Sequence, residues 1–181
     1  MGADTQDRRT GVLVEAGFQE IEFWYPVLRL REAGSAVIVL GPRDDAQVES
    51  QLGYPVIPDS TFDAGGEWAG LIVPGGAMAA KLSGNAAALR LLAEADEAGA
   101  VLGAIAEGVA VLAKAGLLKG RRVACASSLE TMVRAGGAEP SSGGLAAEGR
   151  LITARSADEL PGFYRAYAAA LSGTPTRRAA A

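Results

Sequence analysis

The stretch VLGAIAEGVAVLAKA, residues 101–115, decides how this chain folds. Its first five residues form an unbroken apolar run, the pattern of a strand buried on both faces. From Gly108 the pattern becomes that of a helix closed by Gly116, and only Ala106 and Glu107 separate the two. A strand that turns into a helix without a loop projects one side chain into a crevice and sets helix-end amides beside it. Here that side chain is Ala106, with Glu107 next to it.

Working outward, Gly11–Glu15, Ala36–Leu40 and Gly70–Val73 read as further buried strands, and Arg121–Ala126 and Leu151–Ala154 as two more. Between them lie helical stripes. Ile21, Trp24, Tyr25 and Leu28 recur at i, i+3, i+4 and i+7, on a helix expected to bury Ile21 and Trp24. Pro26 predicts a kink or a late start in that helix, and Gly34 its end. Ala88, Leu91, Leu92 and Ala95 mark a second helix. Leu160, Phe163, Tyr164, Tyr167 and Leu171 mark the last, with Pro161 in its first turn. Gln47–Pro58 reads as a short edge hairpin. This alternation predicts an α/β fold with a mostly parallel sheet covered by helices on both faces. One domain is expected over residues 11–171, with frayed polar or small tails at 1–10 and 172–181.

Composition removes several chemistries. The 181 residues include no histidine and one cysteine, Cys125, so Ser-His-Asp and Cys-His sites and zinc centres are not expected. No dinucleotide or P-loop motif is present, and neither a cofactor nor a metal is expected. A net charge of −4 gives no reason to expect nucleic acid. No apolar stretch is long enough for a membrane span, and the polar start shows no secretory signal. With a single cysteine, a reducing cytoplasm is the expected location.

Ligands of an open parallel sheet collect outside the carboxyl ends of its strands. The first strand here leads to Glu20 and Glu22, the third to Pro74-Gly75-Gly76, and the fourth to Ala106-Glu107. Paired glycines allow a turn with outward amides.

Four blocks, in order, carry a family resemblance: GFQEIEFWYPVLRLREAGSAVIVLGP (17–42), AGLIVPGG (69–76), AIAEGVAVLAKAGLLKGRRV (104–123) and GRLITARSADELPGF (149–163). Together they resemble the ThiJ/PfpI superfamily. The resemblance implies a flavodoxin-like three-layer sandwich, usually a homodimer, with glyoxalase, protein deglycase, isonitrile hydratase, peptidase or chaperone-like roles. It implies that Glu22 matches the glutamate that hydrogen-bonds a reactive thiol. Gly75 and Gly76 match a turn whose amide helps to form an oxyanion hole. Ala106 stands at the nucleophile position, which lacks its thiol, and Glu107 follows where histidine is often found. A further histidine position falls near Ala126.

Each candidate has a second reading. Glu22 is either a solvated helix charge or a carboxyl in the cleft. Glu107 either complements the helix dipole or faces the same pocket. If the two meet, repulsion splits their titrations and leaves one acid and one base. Ala106 is either natural or an engineered replacement of cysteine. Cys125 reads as a small buried hydrophobe, Trp24 and Tyr25 as core or dimer contacts, and Asp44-Asp45 as a solvated loop with at most weak magnesium affinity.

The expected function is a cofactor-free hydratase or lyase acting on a small polar or carbonyl-like metabolite. Glu22 and Glu107 would exchange protons, while Gly75, Gly76 and the elbow amides would hold developing charge. The alternatives are a non-catalytic ligand-binding or chaperone-like stress protein, or a cysteine-dependent enzyme with its thiol replaced. The expected partners are a small-molecule substrate and a second copy of the chain.

Overall fold

The computed structural model describes residues 9–173. A seven-stranded sheet runs through the middle in the order β10-β11-β7-β6-β1-β2-β5. Its strands are β1 (Arg9–Leu13), β2 (Val37–Gly41), β5 (Ser60–Thr61), β6 (Trp68–Val73), β7 (Val101–Ile105), β10 (Leu145–Glu148) and β11 (Leu151–Ala154). All neighbours pair in parallel except the edge strand β10, which runs antiparallel to β11. Two short ribbons lie outside the sheet: β3 (Val48–Glu49) with β4 (Pro55–Val56), and β8 (Arg122–Val123) with β9 (Glu139–Pro140).

The helices are α1 (Glu20–Glu32), α2 (Met78–Ser83), α3 (Ala86–Glu97), α4 (Gly108–Lys114), α5 (Glu130–Ala135) and α6 (Leu160–Leu171). One face carries α1 against α6, and the other carries α2 to α5, packed in turn on α4. The result is the mostly parallel flavodoxin-like α/β sandwich. Its central strands are buried throughout because helices cover both faces; Val101 to Ile105 are all buried.

Several expectations change. Arg9 and Thr10 are not part of a tail: they begin β1, and Thr10 is buried and paired with Val37. Ser172 and Gly173 close α6. The rest of the two expected tails, 1–8 and 174–181, lies outside the described residues. The run Arg121–Ala126 yields only a two-residue strand in a side ribbon, because it pairs with β9 and not with the main sheet, and Ala124 N–H donates to the Thr153 side chain, Oγ1, at 2.8 Å instead of to a strand carbonyl.

The face of α1 is also reversed. Glu22, Phe23, Pro26, Val27 and Leu30 are buried, whereas Ile21 and Leu28 are exposed. The helix continues through Pro26, whose missing N–H withholds the usual donor from the Glu22 carbonyl. The α3 stripe and the Pro161 start of α6 fall as read.

Candidate active site

Three strand ends build the corner. After β1 the chain turns at Gly17 (φ +91°) and enters α1, whose N-cap is Gln19. The Gln19 side chain accepts the Glu22 N–H at 2.8 Å, which fixes the first helical turn with Glu22 facing inward. Glu22 is only 5% exposed.

The second wall is the turn after β6. Gly76 adopts φ +98°, and a Cβ there would sit 2.6 Å from Gln19 N and from Gly17 O, so only glycine fits. Gln19 N–H donates to the Gly75 carbonyl at 3.1 Å, which ties this turn to the start of α1.

The third wall is the elbow after β7. Ala106 sits at φ +48°, the single non-glycine residue with positive φ among the described residues. Its N–H donates to the Ala154 carbonyl on β11 at 2.9 Å, which holds the elbow on the sheet. Gly108 begins α4 against the carbonyls of Val73 and Pro74, where no side chain has room.

These walls bring Glu22 and Glu107 together. Gly75 N–H donates to Glu22 Oε2 at 2.9 Å, and Gly76 N–H donates to Glu107 Oε2 at 3.0 Å. A Cβ on Gly75 would fall within 3.0 Å of Glu22 Oε2, Glu107 Oε2 and Ala106 Cβ alike. The two oxygens are therefore no more than twice that distance apart. Glu107 is the exposed member and Glu22 the buried one.

Burial pushes the Glu22 carboxyl up to about 7, the Glu107 charge adds to the rise, and the Gly75 N–H opposes it. At neutral pH Glu22 is thus close to half protonated. The Glu107 side chain makes no capping bond to its own helix; it reaches across to Gly76 instead.

The amides of Gly75 and Gly76, expected to receive an oxyanion, are thus engaged by the chain's own carboxyl groups. The elbow amides of Glu107 and Gly108 donate to no protein acceptor among the described residues. They are the donors left for a ligand.

Cys125 is buried, and burial together with the Glu130 charge pushes its thiol up, so it is a packing residue and not an activated nucleophile. Tyr25 packs edge-on to Tyr164, and Trp24 edge-on to Phe23. Asp45 pairs with Arg43 in an exposed loop, and no group of three or more metal-ligating side chains occurs among the described residues.

Gln19, which positions Glu22, and Arg155, which lies one residue past the strand beside the elbow, were not legible in the sequence. Gln19 is an unusual N-cap, so nothing in the sequence singled it out. Arg155, one residue beyond β11, donates to the Ser142 and Gly143 carbonyls while its Nε is buried without a partner. It follows Ala154, which pairs with Ile105 beside the elbow. A basic residue at a strand end carried no motif.

With this geometry in view, the chain's kinship is direct. It belongs to the DJ-1/PfpI family, whose pattern matches residues 8–170. It is 32% identical over 157 residues to an uncharacterized protein of Archaeoglobus fulgidus, covering 86% of this chain and 93% of that one. It is 27% identical over 158 residues to a protein named as a deglycase from Thermococcus kodakarensis, covering 86% and 95%. Its fold superposes with a TM-score of 0.88, at 27% identity, on a two-domain protein from Anabaena variabilis with DJ-1/ThiJ/PfpI-like and ferritin-like domains. That match covers 96% of this chain and 52% of the longer protein, so this chain spans about half of it.

Proposed function

We propose that this chain is a cofactor-free enzyme of the hydratase or lyase type, acting on a small, uncharged, carbonyl-like metabolite through Glu22 and Glu107. One observation carries the reading. Two carboxyl groups sit on consecutive amides, and the buried one titrates at about 7, so one acid and one base coexist at neutral pH.

In the hydration direction, Glu107 takes a proton from water as the water oxygen bonds to the electrophilic carbon. Glu22 gives its proton to the heteroatom of the opening double bond. Water is thereby added across that bond, and the reverse sequence eliminates it. A proton passing from Glu107 back to Glu22 restores the resting pair, and their proximity makes that transfer short. The unpartnered amides of Glu107 and Gly108 would hold the heteroatom as charge develops. An anionic reacting group is disfavoured by the Glu107 charge. Several related chains are named deglycases, which places enzymes among this chain's relatives.

A second reading has its own observation. Because Gly75 and Gly76 are satisfied internally and Ala106 offers no nucleophile, the corner would also suit a binding module that leaves its ligand unchanged.

The test is a panel of small aldehydes, isonitriles and polar metabolites followed by proton NMR. It would use the chain as it stands and the Glu22→Gln, Glu107→Gln and Ala106→Cys variants. The enzyme reading expects conversion that falls at least ~100-fold in either glutamine variant. Conversion unaffected by both glutamine changes would overturn it. Thermal stabilisation by a compound that is never converted would establish the binding module. Conversion appearing only with Ala106→Cys would restore thiol chemistry.

A further inference from the structure

The other end of the sheet carries a cleft of its own. β6 enters the sheet at Trp68 and leaves it at Val73, beside the corner of Glu22 and Glu107. Its two ends are roughly 17 Å apart at the usual rise of a strand. At the Trp68 end, between the loop 63–67 and α3, lies a cleft of ≈ 300 Å³. Trp68, Leu91 and Ala95, all buried, supply its apolar floor. Glu67, Glu94 and Ala98, all exposed, supply its rim.

The walls are held from both sides. Arg90 of α3 pairs with Asp63 of the loop at 2.6 Å. Arg9 donates through Nη2 to the Gly65 carbonyl at 2.9 Å, and its guanidinium lies 4.8 Å from the centre of the Trp68 ring. Gly66 adopts φ +123°, and a Cβ there would strike that guanidinium, so the loop passes between Arg9 and the cleft only as glycine.

We propose that this cleft binds a small amphipathic cation, a primary ammonium carried on a short apolar body. The sign of the charge follows from α3. Its last turn holds Glu94, Asp96 and Glu97 and no basic residue, although the carbonyl end of a helix favours cations. Arg121 answers Asp96 at 3.1 Å, whereas Glu94 and Glu67 enter no ion pair among the described residues. A cation between these two carboxylates supplies the missing counter-charge. The two arginines nearby do not, because Arg90 is engaged by Asp63 and Arg9 by the Gly65 carbonyl and the indole ring. The apolar body follows from the floor, which a bare ion would leave uncovered. Trp68 also carries a donor: its indole N–H meets no acceptor among the described residues, although the residue is only 5% exposed. None of these residues belongs to the corner, so the cleft stands whether or not the catalytic reading does.

Fluorescence titration tests it. The chain has two tryptophans, Trp24 and Trp68, so Trp24→Phe leaves the cleft residue as the reporter. Phenethylammonium should shift Trp68 emission saturably, with a Kd on the order of 1 mM. Its uncharged counterpart 2-phenylethanol should bind at least ~5-fold more weakly, and 3-phenylpropanoate not at all. Glu67→Gln and Glu94→Gln should each weaken phenethylammonium binding about threefold, and the double change about tenfold. Ala98→Leu, which narrows the rim, should abolish it. All three positions are exposed, so far-UV circular dichroism should be unchanged. No saturable shift up to ~10 mM phenethylammonium would overturn the proposal. So would 2-phenylethanol binding as tightly as the amine, or a double glutamine variant binding as tightly as the wild type.

Discussion

Glu22 and Glu107 accept hydrogen bonds from the adjacent amides of Gly75 and Gly76, one carboxyl buried and the other at the mouth of the corner. The pairing makes the protonation of Glu22 part of the folding equilibrium. Its pKa rises from 4.5 to about 7 on folding. Below the unfolded value the group is protonated in both states and causes no loss. As the pH rises toward 7 the unfolded chain releases the proton while the folded chain keeps it, and stability falls. The loss reaches at most about 3 kcal/mol, less whatever solvent screening at the mouth removes. Urea denaturation at pH 5, 6.5 and 8 should therefore show the wild type losing stability across this window relative to Glu22→Gln. Parallel profiles for the two chains would mean that Glu22 titrates at its ordinary value.

Removing the neighbouring charge should act on Glu22 in one direction. Burial is the largest cause of its raised pKa, and Glu107 contributes a smaller rise. Glu107→Gln should thus lower the Glu22 midpoint without returning it to 4.5. Carbon-13 NMR of the glutamate side-chain carboxyls reads this directly. An unmoved midpoint would mean the two groups do not interact, and a full return would mean that charge, not burial, dominates.

Gly75 is glycine because the corner has no space for a methyl group. A Cβ there would press on both carboxyl oxygens and on the Ala106 methyl, 3.0 Å away. Gly75→Ala should destabilise by about 1–3 kcal/mol, the usual cost of overpacking. It should also push Glu22 and Glu107 apart. A guanidinium denaturation curve checks the first effect, and a lowered Glu22 midpoint the second.

Much of this arrangement was legible in the residues. Buried parallel strands announce themselves as continuous apolar runs, so β1, β2, β6 and β7 could be read, and the missing loop after Ile105 marked the elbow. The α1 helix shows where reading stops. It has two apolar stripes, one through Phe23, Val27 and Leu30 and the other through Ile21, Trp24, Tyr25 and Leu28, and spacing alone cannot say which meets the sheet. The short ribbons and α5 lack any strong period, because each depends on tertiary contacts and not on a local pattern. At the site, the three strand ends named residues that the structure brings together. The engagement of both glycine amides by carboxyl groups depends on distances that no sequence spacing encodes.

Ala106 permits a last test, because its conformation is costly and its side chain inert. An alanine at φ +48° costs roughly 1–2 kcal/mol relative to the right-handed region. Replacing it with glycine removes that strain. The change also frees the unfolded chain by about 0.4–1 kcal/mol and discards a buried methyl worth about 0.8 kcal/mol. These effects oppose one another, so Ala106→Gly should leave stability within about 1 kcal/mol of the wild type. A β-branched side chain adds χ1 crowding to the same strained backbone, and Ala106→Val should lose about 2 kcal/mol or more. If the elbow serves to aim Glu107 at Gly76, the looser glycine variant should weaken that bond while the fold holds. Hydrogen exchange of the Gly76 amide would then quicken in Ala106→Gly against an unchanged global stability. An equally protected Gly76 amide would show that the turn after β6, not the elbow, positions Glu107.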